Sequence, residues 1–182
     1  MSTEDVRRAM RGDHDAFAAL IGAASTRLYA LASLILRDPD RAQDAAQDAF
    51  IRAWREVPRL RDAERFDAWL RRLVVNSCYD EARRGKRRAE VTLFNVKDRS
   101  VEDTSAAFVE SDRIDRAFRR LPLDQRSVLV LQHYFDLSHS EIAETLAIPL
   151  GTVKSRVRYG IAAMRAALEA GDRDLAAGRR SA

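Results

Sequence analysis

Three histidines, one cysteine and one pair of acids are the side chains that could carry covalent or metal chemistry. Their spacing assembles none of it. His14, His133 and His139 share no metal-ligand spacing and have no nucleophile beside them. Asp44 and Asp48 lie one helical turn apart, but no third ligand is spaced to join them around a cation. Cys78 sits inside an apolar helical stretch and reads as a packing residue. No glycine-rich phosphate loop is present. The expectation is a protein with no catalytic residue, no metal and no cofactor. The remaining chemistry is cationic. Five of the six positions from Arg83 to Arg88 are basic, the net charge is +4 and the pI is about 9.6. Clustered arginine suits an anionic partner, most commonly nucleic acid, although a solvated basic surface has the same composition.

A second basic stretch has a shape that reads DNA. In Ser138 to Arg165, SHSEIAETLAIPLGTVKSRVRYGIAAMR, Ser138 and Glu141 have capping-box spacing. Ile142, Ala143 and Leu146 give the short helix that follows one apolar face. Pro149 breaks it, and Gly151 is expected to permit close approach of backbones. The next helix is expected to bury Val153, Val157, Ile161, Met164 and Leu168. Thr152, Ser155, Arg158, Tyr159 and Ala162 then face outward, with Lys154 and Arg156 on the flanks. A small, polar, basic helix held across a preceding one is a helix-turn-helix fitted to the major groove.

The elements that must position these residues read as helices throughout, giving an all-α fold. Residues 13–37 carry one apolar stripe through Phe17, Leu20, Ile21, Ala24, Leu28, Leu31 and Ile35. Asp38-Pro39 starts a second helix, with Asp38 as N-cap. Its core face is Ala42, Ala46, Ala49, Phe50, Ala53 and Trp54. Its other face carries the row Asp44, Gln47, Asp48 and Ile51. That row is either solvated or a docking surface. An arginine-rich loop, residues 58–65, leads to a helix from Phe66 to Arg84. Phe66, Trp69, Leu70, Leu73 and Ser77 turn inward, while Arg71, Arg72, Asn76, Asp80, Arg83 and Arg84 leave the other sides polar and basic. Periodicity fails over residues 89–110, which read as a linker. Ser111 is expected to cap a helix that turns Ile114, Ala117, Phe118 and Leu121 inward. Another helix runs from Asp124 to Phe135. After Leu168 the pattern is lost and the tail is expected to fray.

The single cysteine excludes an internal disulfide and suits a reducing compartment. The polar amino terminus does not resemble a signal peptide, and no apolar run reads as long enough to span a membrane. A cytoplasmic protein without membrane insertion is expected.

Three stretches together resemble the group four, or extracytoplasmic function (ECF), sigma factors of the bacterial sigma-70 family. AQDAAQDAFIRAW, Ala42 to Trp54, is similar to region two-point-two, and RFDAWLRRLVVNSCYDEARRGKRR, Arg65 to Arg88, to regions two-point-three and two-point-four. LPLDQRSVLVLQHYFDLSHSEIAETLAIPLGTVKSRVRYGIAAMR, Leu121 to Arg165, resembles region four. The resemblance implies sigma domain two over residues 1–90, a linker over 91–110, sigma domain four over 111–170 and a tail over 171–182. It implies core RNA polymerase as partner, through the beta-prime clamp helices and the beta flap, together with promoter DNA and an anti-sigma factor. Asp44, Gln47, Asp48 and Ile51 would dock on the clamp helices. The loop from Glu56 to Arg65, including Arg59 and Arg61, would capture a flipped minus-ten base. Asn76, Asp80, Arg71 and Arg72 would line that strand's site, and Arg83, Arg84 and Arg87 would hold phosphates. Thr152, Lys154, Ser155, Arg156, Arg158 and Tyr159 would meet the minus-thirty-five element. Only Trp69 and Tyr79 offer aromatic rings on the minus-ten helix, which implies weak intrinsic melting and stringent promoters.

The rival reading is a stand-alone dimeric helix-turn-helix regulator. Against it stands the second basic helix, for which a sensing domain has no need.

Overall fold

The computed structural model describes residues 2–91 and 106–178, and the side chains of 2–87 and 113–170. The described residues form eight α-helices and two short 3-10 turns, with no strand among them. The helices are α1 (Thr3–Met10), α2 (His14–Leu36), α3 (Pro39–Glu56), α4 (Phe66–Val91), α5 (Ala106–Arg119), α6 (Leu123–His133), α7 (His139–Leu146) and α8 (Leu150–Gly178). The turns, Val57–Arg59 and Ala63–Arg65, shape the arginine-rich loop.

The first four helices pack into one domain. Asp38 caps α3 by accepting from the Arg41 amide at 3.1 Å, with Pro39 in the first turn. Ala42, Ala45, Ala49 and Ala53 are fully buried, so α3 lies close against α4 and α2. α2 is the central helix, and its stripe from Ala16 to Leu36 is covered by α1, α3, α4 and α6. By length and composition α2 is apolar enough to cross a membrane, contrary to the sequence expectation. Here its apolar face is the core of the helical packing.

The second domain is α5 to α8. The capping box at Ser138 forms as its spacing predicts: the Ser138 amide donates to Glu141 Oε2 at 2.8 Å and the Glu141 amide to Ser138 Oγ at 3.3 Å. The Ser138 hydroxyl, donating to Glu141 Oε2 at 2.7 Å, and then the Ser138 amide hold the Glu141 carboxyl below its ordinary value. The turn into α8 differs from expectation. Ala147, at φ 52°, ends α7, while a Cβ on Gly151 would meet open space. The buried stripe of α8 also shifts. Val153 and Val157 are buried, but Ile161 is 42% exposed. Gly160 takes the inner position, where a Cβ would lie 3.0 Å from Leu129 Cδ1. The close approach assigned to Gly151 therefore occurs at Gly160, where α8 crosses α6.

Other boundaries move outward. α1 was absent from the sequence reading because its two buried residues, Val6 and Ala9, are too few to show a period. α4 continues to Val91. α5 begins at Ala106, so Ser111 lies inside it and is no cap, and Ile114 is 45% exposed rather than inward. α8 stays helical to Gly178 where fraying was expected. Most of the expected linker, residues 92–105, lies outside the described residues.

Candidate nucleic-acid and polymerase interfaces

The outer face of α8 is the simpler of the two basic surfaces. Lys154, Arg158 and Tyr159 are exposed, and Thr152 and Ser155 are half-buried beside them. Arg158 folds over the Tyr159 ring at 4.8 Å and donates to its hydroxyl at 3.1 Å. This pairing preorganises a guanidinium and a phenol on the exposed face of α8. Arg156 departs from the group. It pairs with Asp124 at 3.2 Å and faces a cleft lined by Asn76, Tyr79 and Asp80 of α4.

The polar side of α4 is the second surface. Arg72, Asn76, Arg83, Arg84 and Arg87 are exposed, and Arg71 is half-buried. Burial, and then the nearby Arg27, lower the Arg71 pKa from its ordinary value. Burial alone would raise the Asp80 carboxyl, but bonds from Arg83 and from Arg52, the latter at 3.0 Å, outweigh it and hold it low. Asp80 therefore positions two arginines as well as lining the cleft. Arg59 and Arg61 are exposed on the loop. Trp69, half-buried, packs on Phe66 at 5.6 Å with one side toward a cleft.

On α3, Asp44, Gln47 and Ile51 form an exposed row, with Ile51 52% exposed. Asp48 is different: it accepts from Arg84 at 2.7 Å. Arg52 stands one turn along from it in the sequence but pairs with Asp80, so the partner of Asp48 comes from another helix. Beside the row, Tyr29, Ala46 and Phe50 line a shallow apolar groove between α2 and α3 that the pattern did not reveal.

Among the described residues no group of three or more His, Cys, Asp or Glu could hold a metal. Cys78 is fully buried, and burial pushes its thiol up to about 12. His14 stacks on Trp54 with ring centroids 4.1 Å apart.

A family model described as sigma-70 region 2 matches residues 20–88, and one described as sigma-70 region 4 matches residues 111–164. The ECF RNA polymerase sigma factor SigW of Bacillus subtilis is 33% identical over 178 residues, covering 91% of this chain and 95% of that protein. The chain belongs to the ECF RNA polymerase sigma factors. Within that family, SigM of Mycobacterium tuberculosis is 36% identical over 145 residues, covering 80% of this chain and 73% of that protein. A solved structure of CnrH in complex with the cytosolic domain of CnrY has a TM-score of 0.67 at 25% identity, covering 92% of this chain and 97% of that one. The sigma factor RpoE of Bartonella quintana, solved with the anti-sigma factor NepR, matches in fold at TM-score 0.69 and 21% identity, covering 84% and 96%. Family and fold together disfavour the stand-alone regulator.

Proposed function

We propose that this chain binds core RNA polymerase and directs it to promoters by two separate DNA contacts. The observation that carries this reading is one polypeptide with two basic helical faces, α8 and α4, on separate small domains. The outer face of α8, with Thr152, Lys154, Ser155, Arg158 and Tyr159, and Arg156 once it faces outward, reads the duplex minus-thirty-five element in the major groove. Arg59, Arg61, Arg71, Arg72, Asn76 and Asp80 accept the melted minus-ten strand. A base extruded there costs a few kcal/mol of stacking, which pocket contacts must offset. Arg83, Arg84 and Arg87 hold its phosphates. Asp44, Gln47, Asp48 and Ile51 dock on the beta-prime clamp helices, and domain four reaches the beta flap.

The assigned domains are residues 1–90 and 111–170, with 91–110 as linker and 171–182 as tail. Polymerase fixes the spacing between two contacts that neither domain could span alone. The protein acts in the cytoplasm, without catalysis of its own. The similar sigma factor RpoE was solved in complex with an anti-sigma factor, which supports an anti-sigma factor as a further partner of this chain. Run-off transcription with purified core polymerase on genomic fragments tests this reading and reveals the promoter. No transcript, or no association with core enzyme, rejects it.

A further inference from the structure

The run from Arg83 to Arg88 has one position that is not basic, Gly85. Glycine inside a helix is unfavourable relative to alanine, so its presence in α4 needs a cause. Arg41 supplies one. From the first turn of α3 it reaches across to α4, where its Nη2 donates to the Glu81 carbonyl at 2.8 Å. That carbonyl points along α4 toward residue 85, and a Cβ there would lean back over it. A Cβ on Gly85 would lie 2.7 Å from Arg41 Cζ, and closer still to Nη2. Gly85 is therefore the notch in which the Arg41 guanidinium lies.

The same guanidinium stands beside a buried charge. The Glu81 side chain is 2% exposed and lies between two arginines. Arg41 Nε is 3.5 Å from Glu81 Oε1, and Arg84 Nε donates to Oε2 at 2.9 Å. A buried carboxylate left without a countercharge is strongly destabilising. Arg84 also donates to Asp48, and it is the arginine of this pair assigned to phosphate. If Arg84 alone balanced Glu81, turning to a phosphate would strand that charge. With Arg41 in its notch, Glu81 keeps a partner when Arg84 turns away.

We propose that Arg41 is a positioning residue for the phosphate grip. Seated over Gly85, it keeps Glu81 paired and so lets Arg84 leave the carboxylates for a nucleic-acid phosphate. Arg41 acts through Arg84 and not on the strand itself. The inference rests on the reading of Arg84 as a phosphate contact.

The test measures binding of a labelled random-sequence single-stranded DNA to the full-length chain as a function of salt. Arg84→Ala should reduce the magnitude of the salt slope by about 0.7, the share of one phosphate on a single strand. Gly85→Ala should do the same although Arg84 is still present. The added methyl meets the far end of a flexible side chain, and alanine favours the helix, so this variant keeps its fold. Arg41→Met, which removes the guanidinium and leaves Gly85 in place, should match it. Adding Glu81→Gln to Gly85→Ala should restore the wild-type slope, because an amide needs no countercharge; a mere brace between helices would not be rescued in this way. A wild-type slope in Gly85→Ala and Arg41→Met, or a loss that Glu81→Gln does not restore, overturns the proposal. If Arg84→Ala also leaves the slope unchanged, the phosphate reading of Arg84 fails with it. If Arg84→Ala lowers the slope and Gly85→Ala does not, only the role of Arg41 is rejected.

Discussion

Arg84 joins α4 to α3 by donating to Asp48 at 2.7 Å, and the same guanidinium donates to the buried Glu81 at 2.9 Å. Glu81 is 2% exposed and also pairs with Arg41, whose guanidinium donates to the Glu81 carbonyl at 2.8 Å. A residue assigned to phosphate and a residue assigned to polymerase thus share one network around a buried carboxylate.

Arg84→Ala should therefore lower stability as well as DNA affinity. Removing one donor from Glu81 should cost domain two about 1–2 kcal/mol, read by denaturant unfolding. Arg87→Ala, on the exposed side of α4, should leave stability unchanged and reduce the magnitude of the salt slope of single-strand binding by about 0.7. Equal stability of the two variants would show that the network does not support the fold.

Asp44→Arg reverses charge on the exposed row of α3 without touching that network. It should weaken core-polymerase capture at least about tenfold, since like charges across an interface are costly. Normal capture by this variant would remove Asp44 from the docking surface.

Arg158→Ala should impair transcription from promoters with an intact upstream element by a factor corresponding to about 1–3 kcal/mol. Core-polymerase binding should be retained. A parallel loss of core binding would mean that the outer face of α8 has a different partner.

Acid should loosen the helix-turn-helix through Glu141. Its folded pKa is depressed below the ordinary 4.5, so its contribution is present above that value and is lost as pH falls through the lower folded one. Glu141→Gln should flatten this part of the acid transition of domain four, followed by near-UV circular dichroism at Tyr134 and Tyr159. An acid limb identical to wild type would exclude the capping carboxylate as its source.

Several local signals in the sequence were accurate where neighbours along the chain settle the structure. The Asp38 cap, the Ser138 capping box and the α2 stripe are of this kind, because each joins residues within one or two turns. Other errors arise where a different helix decides. Ile161 has the right period to be buried, yet α6 approaches so closely that only Gly160 fits there. Asp48 has Arg52 one turn along its helix, yet it pairs with Arg84, 36 residues away, while Arg52 pairs with Asp80. Arg126 to Leu131 form an unbroken buried run that no amphipathic pattern describes, since α6 is enclosed by α2 on one side and α7 and α8 on the other. The exposure of the polar and basic residues proposed as sites on α4 and α8 was legible from type and spacing; that Arg71 and Arg156 face the neighbouring domain was not.

Cys78 gives the chain an internal reporter. It is the sole thiol in the sequence, it has no exposure, and burial keeps it protonated at neutral pH. A maleimide can reach it only when α4 detaches from its neighbours, so the alkylation rate of the unmodified protein times the breathing of domain two. Any thiol introduced at the surface would react long before it, and the native side chain need not be removed before a probe is attached.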